Sequence, residues 1–216
     1  MNNTHYKLFL KNINEKKFFL IKVYSMLILQ ILIAFAVLHY GSKINIITSN
    51  YKFYGIVILM FLLVLLIQII KGIFLKFIAV CIFSIGIGLL LSYSLDQSNE
   101  KTIEIQKRAC ITTIIIFIYT VLFGFFLNLV GFRMPPYVGI CLFFFLLLLI
   151  IVSFVSSLSN TYSTYYKLIS GGSIFLFTCF ILYDTSIILE KEYNNNFVGA
   201  SFDYFLDVTN LFINLI

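Results

Sequence analysis

Charge is scarce in this chain. Lys, Arg, Asp and Glu make up 11% of its 216 residues, whereas a soluble domain carries about 25% and needs them to cover its surface. Apolar side chains make up 61%, and the mean hydropathy is +1.03. Lipid is therefore the solvent for most of the chain. Cysteine is scarce too: Cys81, Cys141 and Cys179 lie inside apolar runs and Cys110 opens one, with no CxxC pair and no Cys/His cluster. That argues against a disulfide framework or a zinc site. Only two histidines occur, His5 in a polar tail and His39 at the end of the first apolar run, and they match no ligand spacing. The net charge of +6 is spread over loops with no basic run interleaved with aromatics, which excludes a nucleic-acid surface and fits the basic flanks of a membrane protein.

Long apolar runs are abundant. They fall at about Val23–Tyr40, Phe53–Ile70, Phe77–Leu95, Ile111–Val130, Val138–Leu158, Leu168–Leu189 and Val198–Ile216, each close to the roughly 20 residues a helix needs to cross a bilayer. The breaks are Gly41-Ser42-Lys43, Lys71-Gly72, Asp96 to Arg108, Arg133-Met134-Pro135-Pro136, Ser159-Asn160 and Glu190 to Asn196. Backbone groups in hydrocarbon must bond within their own segment, so these runs read as helices. The first run is too long for a signal-peptide core and lacks a small-residue cleavage site, so it reads as a retained helix. The expected organisation is a basic, cytosolic tail over residues 1–22 and an all-α membrane domain of seven transmembrane helices over 23–216, with no room for a second, soluble domain. The Phe/Leu-rich run Phe143 to Ile151 reads as helix surface facing lipid or protein.

Orientation follows from lysine and arginine. With the N-terminus in the cytosol, inside segments hold nine and outside segments six, the excess carried by Lys7, Lys11, Lys16, Lys17 and Lys22. The positive-inside rule then favours a cytosolic N-terminus.

Acids inside apolar spans are costly and mark functional sites. Here they gather near the end of the chain. Asp184 follows the apolar stretch Ser173 to Tyr183, and Asp207 sits midway along the last run, one turn after Asp203. Asp203, Asp207, Asn210 and Asn214 are offset by 0, 4, 7 and 11 residues, which places them within about 60° of one helix face. That stripe must face protein or a wet cavity rather than lipid. Ser170, Ser173 and Asp184 share a face of the sixth helix by the same arithmetic. A short connection makes these two helices antiparallel neighbours, so Asp184 and Asp207 can meet. Two carboxylates in a low-dielectric interior repel, and the pair should hold one proton near neutral pH. Deprotonated, it is a hard-oxygen site suited to calcium. The bland alternative is that each carboxyl stays protonated and hydrogen-bonds a neighbouring helix.

At these residues the sequence resembles the Bax inhibitor motif-containing transmembrane family. The likeness is carried by Ile181-Leu182-Tyr183-Asp184-Thr185, by Ala200, and by Phe205-Leu206-Asp207-Val208-Thr209-Asn210-Leu211-Phe212. The opening Phe18-Phe19-Leu20-Ile21-Lys22-Val23-Tyr24-Ser25-Met26-Leu27 is similar to that of the lifeguard branch, which includes Golgi anti-apoptotic proteins. Gly86-Ile87-Gly88-Leu89 is a looser echo of the family's glycine-rich third helix. The resemblance implies a seven-helix bundle with the last helix central. It also implies a pH-sensitive calcium leak from internal stores, with calcium as permeant ion rather than cofactor, and inhibition of apoptosis. Carried over by position, Asp184 and Asp207 match the paired aspartates that share a proton and gate the pore. Tyr183, Asp203, Asn210 and Asn214 would line or support that path. Three features depart from the family pattern. The family's acid in the second or third helix has no counterpart among Ile56 to Ile70 or Phe77 to Leu95. Gln68 stands about where some members have a latch arginine, with Lys71 one turn on as a substitute. The sequence stops at Ile216 without the charged tail of many members.

Two other classes remain open. One is a regulatory membrane protein that binds channels or apoptosis regulators without conducting. The other is an intramembrane aspartyl protease, whose first motif matches Tyr183-Asp184. Its second motif needs glycine-x-glycine before the aspartate, and here Tyr204-Phe205-Leu206 precede Asp207. The expected partners are the lipid bilayer, calcium, protons and such regulator or channel proteins. The expected location is a Golgi or endoplasmic-reticulum membrane in a eukaryotic or viral setting, or the plasma membrane in a bacterium. Enzymatic activity is not expected.

Overall fold

A computed structural model describes the chain except for residues 1–2, 45–46, 48, 95–99, 159–161 and 191–195. Of the expected breaks, residues 96–99, Ser159-Asn160 and residues 191–195 thus lie outside the described residues, whereas Gly41-Ser42-Lys43 and Glu100 to Arg108 are helical rather than broken. Among those described, all regular structure is α-helical: α1 Asn3–Ile44, α2 Asn50–Ile69, α3 Ile73–Ser94, α4 Glu100–Val130, α5 Pro136–Leu158, α6 Tyr162–Glu190 and α7 Phe197–Leu215. The protein is an all-α membrane protein.

Local chemistry sets the helix ends. At the end of α4, Gly131 takes the left-handed conformation (φ 88°). Its N–H donates to Asn128 O at 3.0 Å, and Phe132 N–H donates to Leu127 O at 2.9 Å. This is a Schellman closure, which a glycine adopts without the penalty a Cβ would bring. Pro136 then opens α5, where a missing N–H costs nothing. Asn196 caps α7: its Oδ1 accepts the N–H of Gly199 at 3.0 Å, satisfying one of the helix's orphan donors.

Among the described residues, six helices contain stretches long and apolar enough to cross a membrane: Ile13–Gly41, Tyr51–Ile69, Ile73–Ser94, Lys101–Val130, Pro136–Ser156 and Tyr165–Leu189. The expected seventh run forms a helix, α7, but it is not in that group, because its two aspartates and two asparagines dilute its apolar character. It is also heavily enclosed. Ten of its 19 residues are buried, among them Val198, Ala200, Phe202 and Tyr204 at 0% exposure. A second difference lies at the start: residues expected as a polar tail are already helical from Asn3. Nothing in that segment breaks a helix, so the basic stretch and the first span form one continuous rod.

The chain divides into two compact units. The first comprises Met1–Lys17, Gln106–Glu192 and Leu206–Ile216; the second comprises Phe18–Ile105 and Tyr193–Phe205. In the first unit α5 packs on α6, and α4 has two unlike faces. Gln106, Ala109, Thr113 and Thr120 are buried, while Ile114, Ile115, Ile118, Leu122 and Phe126 are exposed. Small and polar groups facing protein and branched apolar groups facing outward are what a lipid solvent selects. The run Phe143 to Ile151 is largely exposed, with Phe143, Phe144, Phe145, Leu148, Ile150 and Ile151 all open, and is therefore lipid-facing surface.

In the second unit α2 packs on α3. Gly88 lets α1 approach closely, since a Cβ there would fall 2.5 Å from Ala34 O. The α7 segment of this unit meets α1 and α3 through aromatic and polar contacts. Tyr24 stacks on Tyr204 with centroids 6.0 Å apart, Phe83 meets Phe202 edge-on at 5.1 Å, and Gln30 Nε2 donates to Ser201 Oγ at 3.2 Å.

Candidate functional site

The acidic motif on α6 is fixed from both sides. Before Asp184, the Tyr183 ring lies over Gly139 of α5, so closely that a Cβ on that glycine would fall 2.6 Å from Cζ and Oη. The Tyr183 hydroxyl donates to Pro136 O at 3.4 Å. After Asp184, Thr185 is 1% exposed. Its Oγ1 donates to Ile181 O at 2.7 Å, and its methyl group faces Gly124 of α4, where a Cβ would fall 2.7 Å away. Ser186 Oγ accepts the N–H of Met134 at 3.2 Å, which ties the motif to the α4–α5 connection. Asp184 itself is half-buried, on a stretch of helix whose neighbours cannot turn without breaking these contacts.

A further contact holds the end of α6. Lys16 Nζ donates to Leu189 O at 2.9 Å and to Ile188 O at 3.3 Å. The last carbonyls of a helix lack intrahelical donors and carry partial negative charge, so an ammonium there both bonds and neutralises them.

On α7, Asp207 is 6% exposed, and Asn210 and Asn214 are half-buried. Each asparagine donates to its own helix, Asn210 Nδ2 to Leu206 O and Asn214 Nδ2 to Asn210 O, both at 2.8 Å. Asp203 is half-buried between the fully enclosed Phe202 and Tyr204. Asp184, Asp207, Tyr183, Asn210 and Asn214 fall in the first compact unit, whereas Asp203, Gln68 and Lys71 fall in the second. Gln68 and Lys71 are exposed. Among the described residues no group of three or more His, Cys, Asp or Glu gathers as a metal-ligand set.

Several residues here escaped the sequence reading. Lys16 looked like one of five tail lysines, and Gly124 and Gly139 like incidental small residues in apolar runs. Gln30, at 0% exposure, was a polar residue within a span and could have been flagged on that ground alone. Lys76 was counted as a loop lysine, yet it lies in the first turn of α3 at 7% exposure.

Among the described residues, six helices long and apolar enough to span lipid define a multi-pass integral membrane protein. The chain matches the model of the family described as inhibitor of apoptosis-promoting Bax1 over residues 16–216, and it belongs to that family, whose members are anti-apoptotic membrane proteins. Among curated proteins none matches its sequence.

Proposed function

We propose that this protein is a pH-sensitive calcium leak of an internal membrane, gated by Asp184 and Asp207, and that it restrains apoptosis by lowering stored calcium. The observation that carries the proposal is the presence of both acids in one compact unit, one of them on α7, which among the described helices is the one too polar to rank with the apolar spans. Burying a carboxylate at Asp207 is costly unless the charge is shared or compensated. Two acids sharing one proton remove most of that cost and make occupancy depend on pH. Protonated, the pair is a neutral hydrogen-bonded bridge between α6 and α7. Deprotonated, it offers hard oxygens to calcium. Tyr183 and Thr185 hold Asp184 in register, and Asp203, one turn from Asp207, acts as an accessory charge that concentrates cations.

The test is calcium flux from liposomes containing only the purified protein, measured across about pH 6 to 8 for wild type, Asp184→Asn, Asp207→Asn and the double variant, since a coupled pair titrates as one site. Each single substitution is expected to abolish the pH dependence, with the double variant little worse than either, because a shared site fails as a unit. If both single variants keep the wild-type profile, the aspartates are structural hydrogen-bonding groups. If the wild type carries no flux, the regulatory reading replaces the leak.

A further inference from the structure

The two asparagines that follow Asp207 have a fixed orientation with a chemical consequence. Asn210 Nδ2 and Asn214 Nδ2 each lie 2.8 Å from a main-chain carbonyl of α7. A carbonyl oxygen only accepts, so the nitrogen must be the atom facing it. Each side chain thus turns its amide toward its own backbone and its Oδ1 away from it. Asp207, Asn210 and Asn214 follow one another at intervals of three and four residues, about 4.5 and 6 Å along the axis and within about 60° around it. The same face of α7 therefore carries a carboxylate and two outward amide oxygens in succession. No lysine or arginine occurs from Phe197 to Ile216, so α7 itself carries nothing that would repel a cation from this row.

We propose that Asp207, Asn210 and Asn214 form a ladder of oxygen ligands along which a partly dehydrated calcium ion moves, the asparagines binding through Oδ1. This rests on the calcium reading above and extends it from the acid pair to the path. Calcium accepts carboxylate and amide oxygens in irregular arrays, whereas magnesium holds its waters and demands near-octahedral geometry. A carboxylate followed by asparagine rungs that each offer a single oxygen therefore passes calcium in preference to magnesium.

Two substitutions at each asparagine separate a ligand from a helix-bonding group. Asn→Asp keeps the outward oxygen and loses the amide donor; Asn→Leu keeps the approximate shape and loses both. Full-length Asn210→Asp, Asn210→Leu, Asn214→Asp and Asn214→Leu are reconstituted after a thermal-unfolding check. Calcium and magnesium flux are recorded, and terbium(III) luminescence reports binding at equilibrium. The leucine variants are expected to lose about tenfold in calcium flux and terbium affinity, as for one lost ligand worth a decade in binding. The aspartate variants should match or exceed wild type. Equal losses in the aspartate and leucine variants, or no change in either, would overturn the ladder while leaving the acid pair standing. If wild type carries no flux but its terbium binding still falls in the leucine variants and survives in the aspartate variants, the ladder holds as a binding site and the leak reading fails. Absence of both flux and terbium binding overturns the two together.

Discussion

At the scale of single residues, the presence of two acids within apolar helices was legible and the contacts around them were not. A carboxyl inside an apolar run is visible because its burial is costly whatever surrounds it. Gly139 is different, since its importance depends on which side chain lies opposite. Tyr183 does, with its ring 2.6 Å from where a Cβ would be. Gly139→Ala should therefore destabilise the protein by about 1–3 kcal/mol, the usual range for overpacking. Because Tyr183 adjoins Asp184, it should also alter the pH profile of calcium flux. Gly171, on the same helix as Tyr183, has nothing within 4 Å of an added Cβ. Gly171→Ala should be neutral or stabilising by up to about 1 kcal/mol, as for an unhindered helix glycine. Thermal unfolding of the two variants in one detergent decides the matter: equal effects would mean that the Tyr183–Gly139 contact constrains nothing.

At the scale of elements, the apolar runs and their breaks located every helix, because a hydrocarbon solvent leaves the backbone few alternatives. The breaks at Lys71-Gly72 and at Arg133 to Pro136 were legible, and Pro136 and Asn196 stand where a proline start and an asparagine cap belong. Gly41-Ser42-Lys43 and Glu100 to Arg108, read as breaks, are instead helical within α1 and α4, because neither stretch holds a proline to end the helix. The beginning of α1 was not legible, since lysine-rich segments are helix-tolerant and charge alone does not distinguish a tail from a helix. Nor was the role of Lys16, which depends on α1 reaching the end of α6. Lys16→Met should release the carbonyls of Ile188 and Leu189, at a cost of about 1 kcal/mol for a charged donor at a helix C-terminus. The thermal midpoint should fall by about 2–4 °C for a chain of this size, and backbone hydrogen exchange should rise in the last turn of α6. Lys16→Arg should restore both, since it keeps the charge and the donors. If methionine is tolerated without faster exchange, the contact does not hold the helix end.

At the scale of the whole molecule, composition alone identified a membrane protein, and the motifs of the sixth and seventh helices pointed to the family whose model it matches over residues 16–216. All seven expected runs form helices; α7 is outside the group apolar enough by length and composition to cross a membrane because its polar stripe lowers its apolarity. Topology is the remaining property that sequence addresses, and the structure adds a constraint to it. The positive-inside excess rests mainly on lysines before Val23, which lie on α1; counting charges assigns that end to the cytosol. Lys16 bonds the last carbonyls of α6, so the start of α1 and the end of α6 lie on one side of the membrane. The connection between α6 and α7 must then be cytosolic as well, in agreement with the side that charge counting gives Lys191. Reporters fused before Met1 and inserted between α6 and α7 should therefore both be cytosolic, unglycosylated and open to protease in sealed microsomes. Both luminal would reverse the orientation while sparing the contact. One on each side would mean that Lys16 does not reach α6 in the membrane, and the support assigned to the Asp184 helix would go with it.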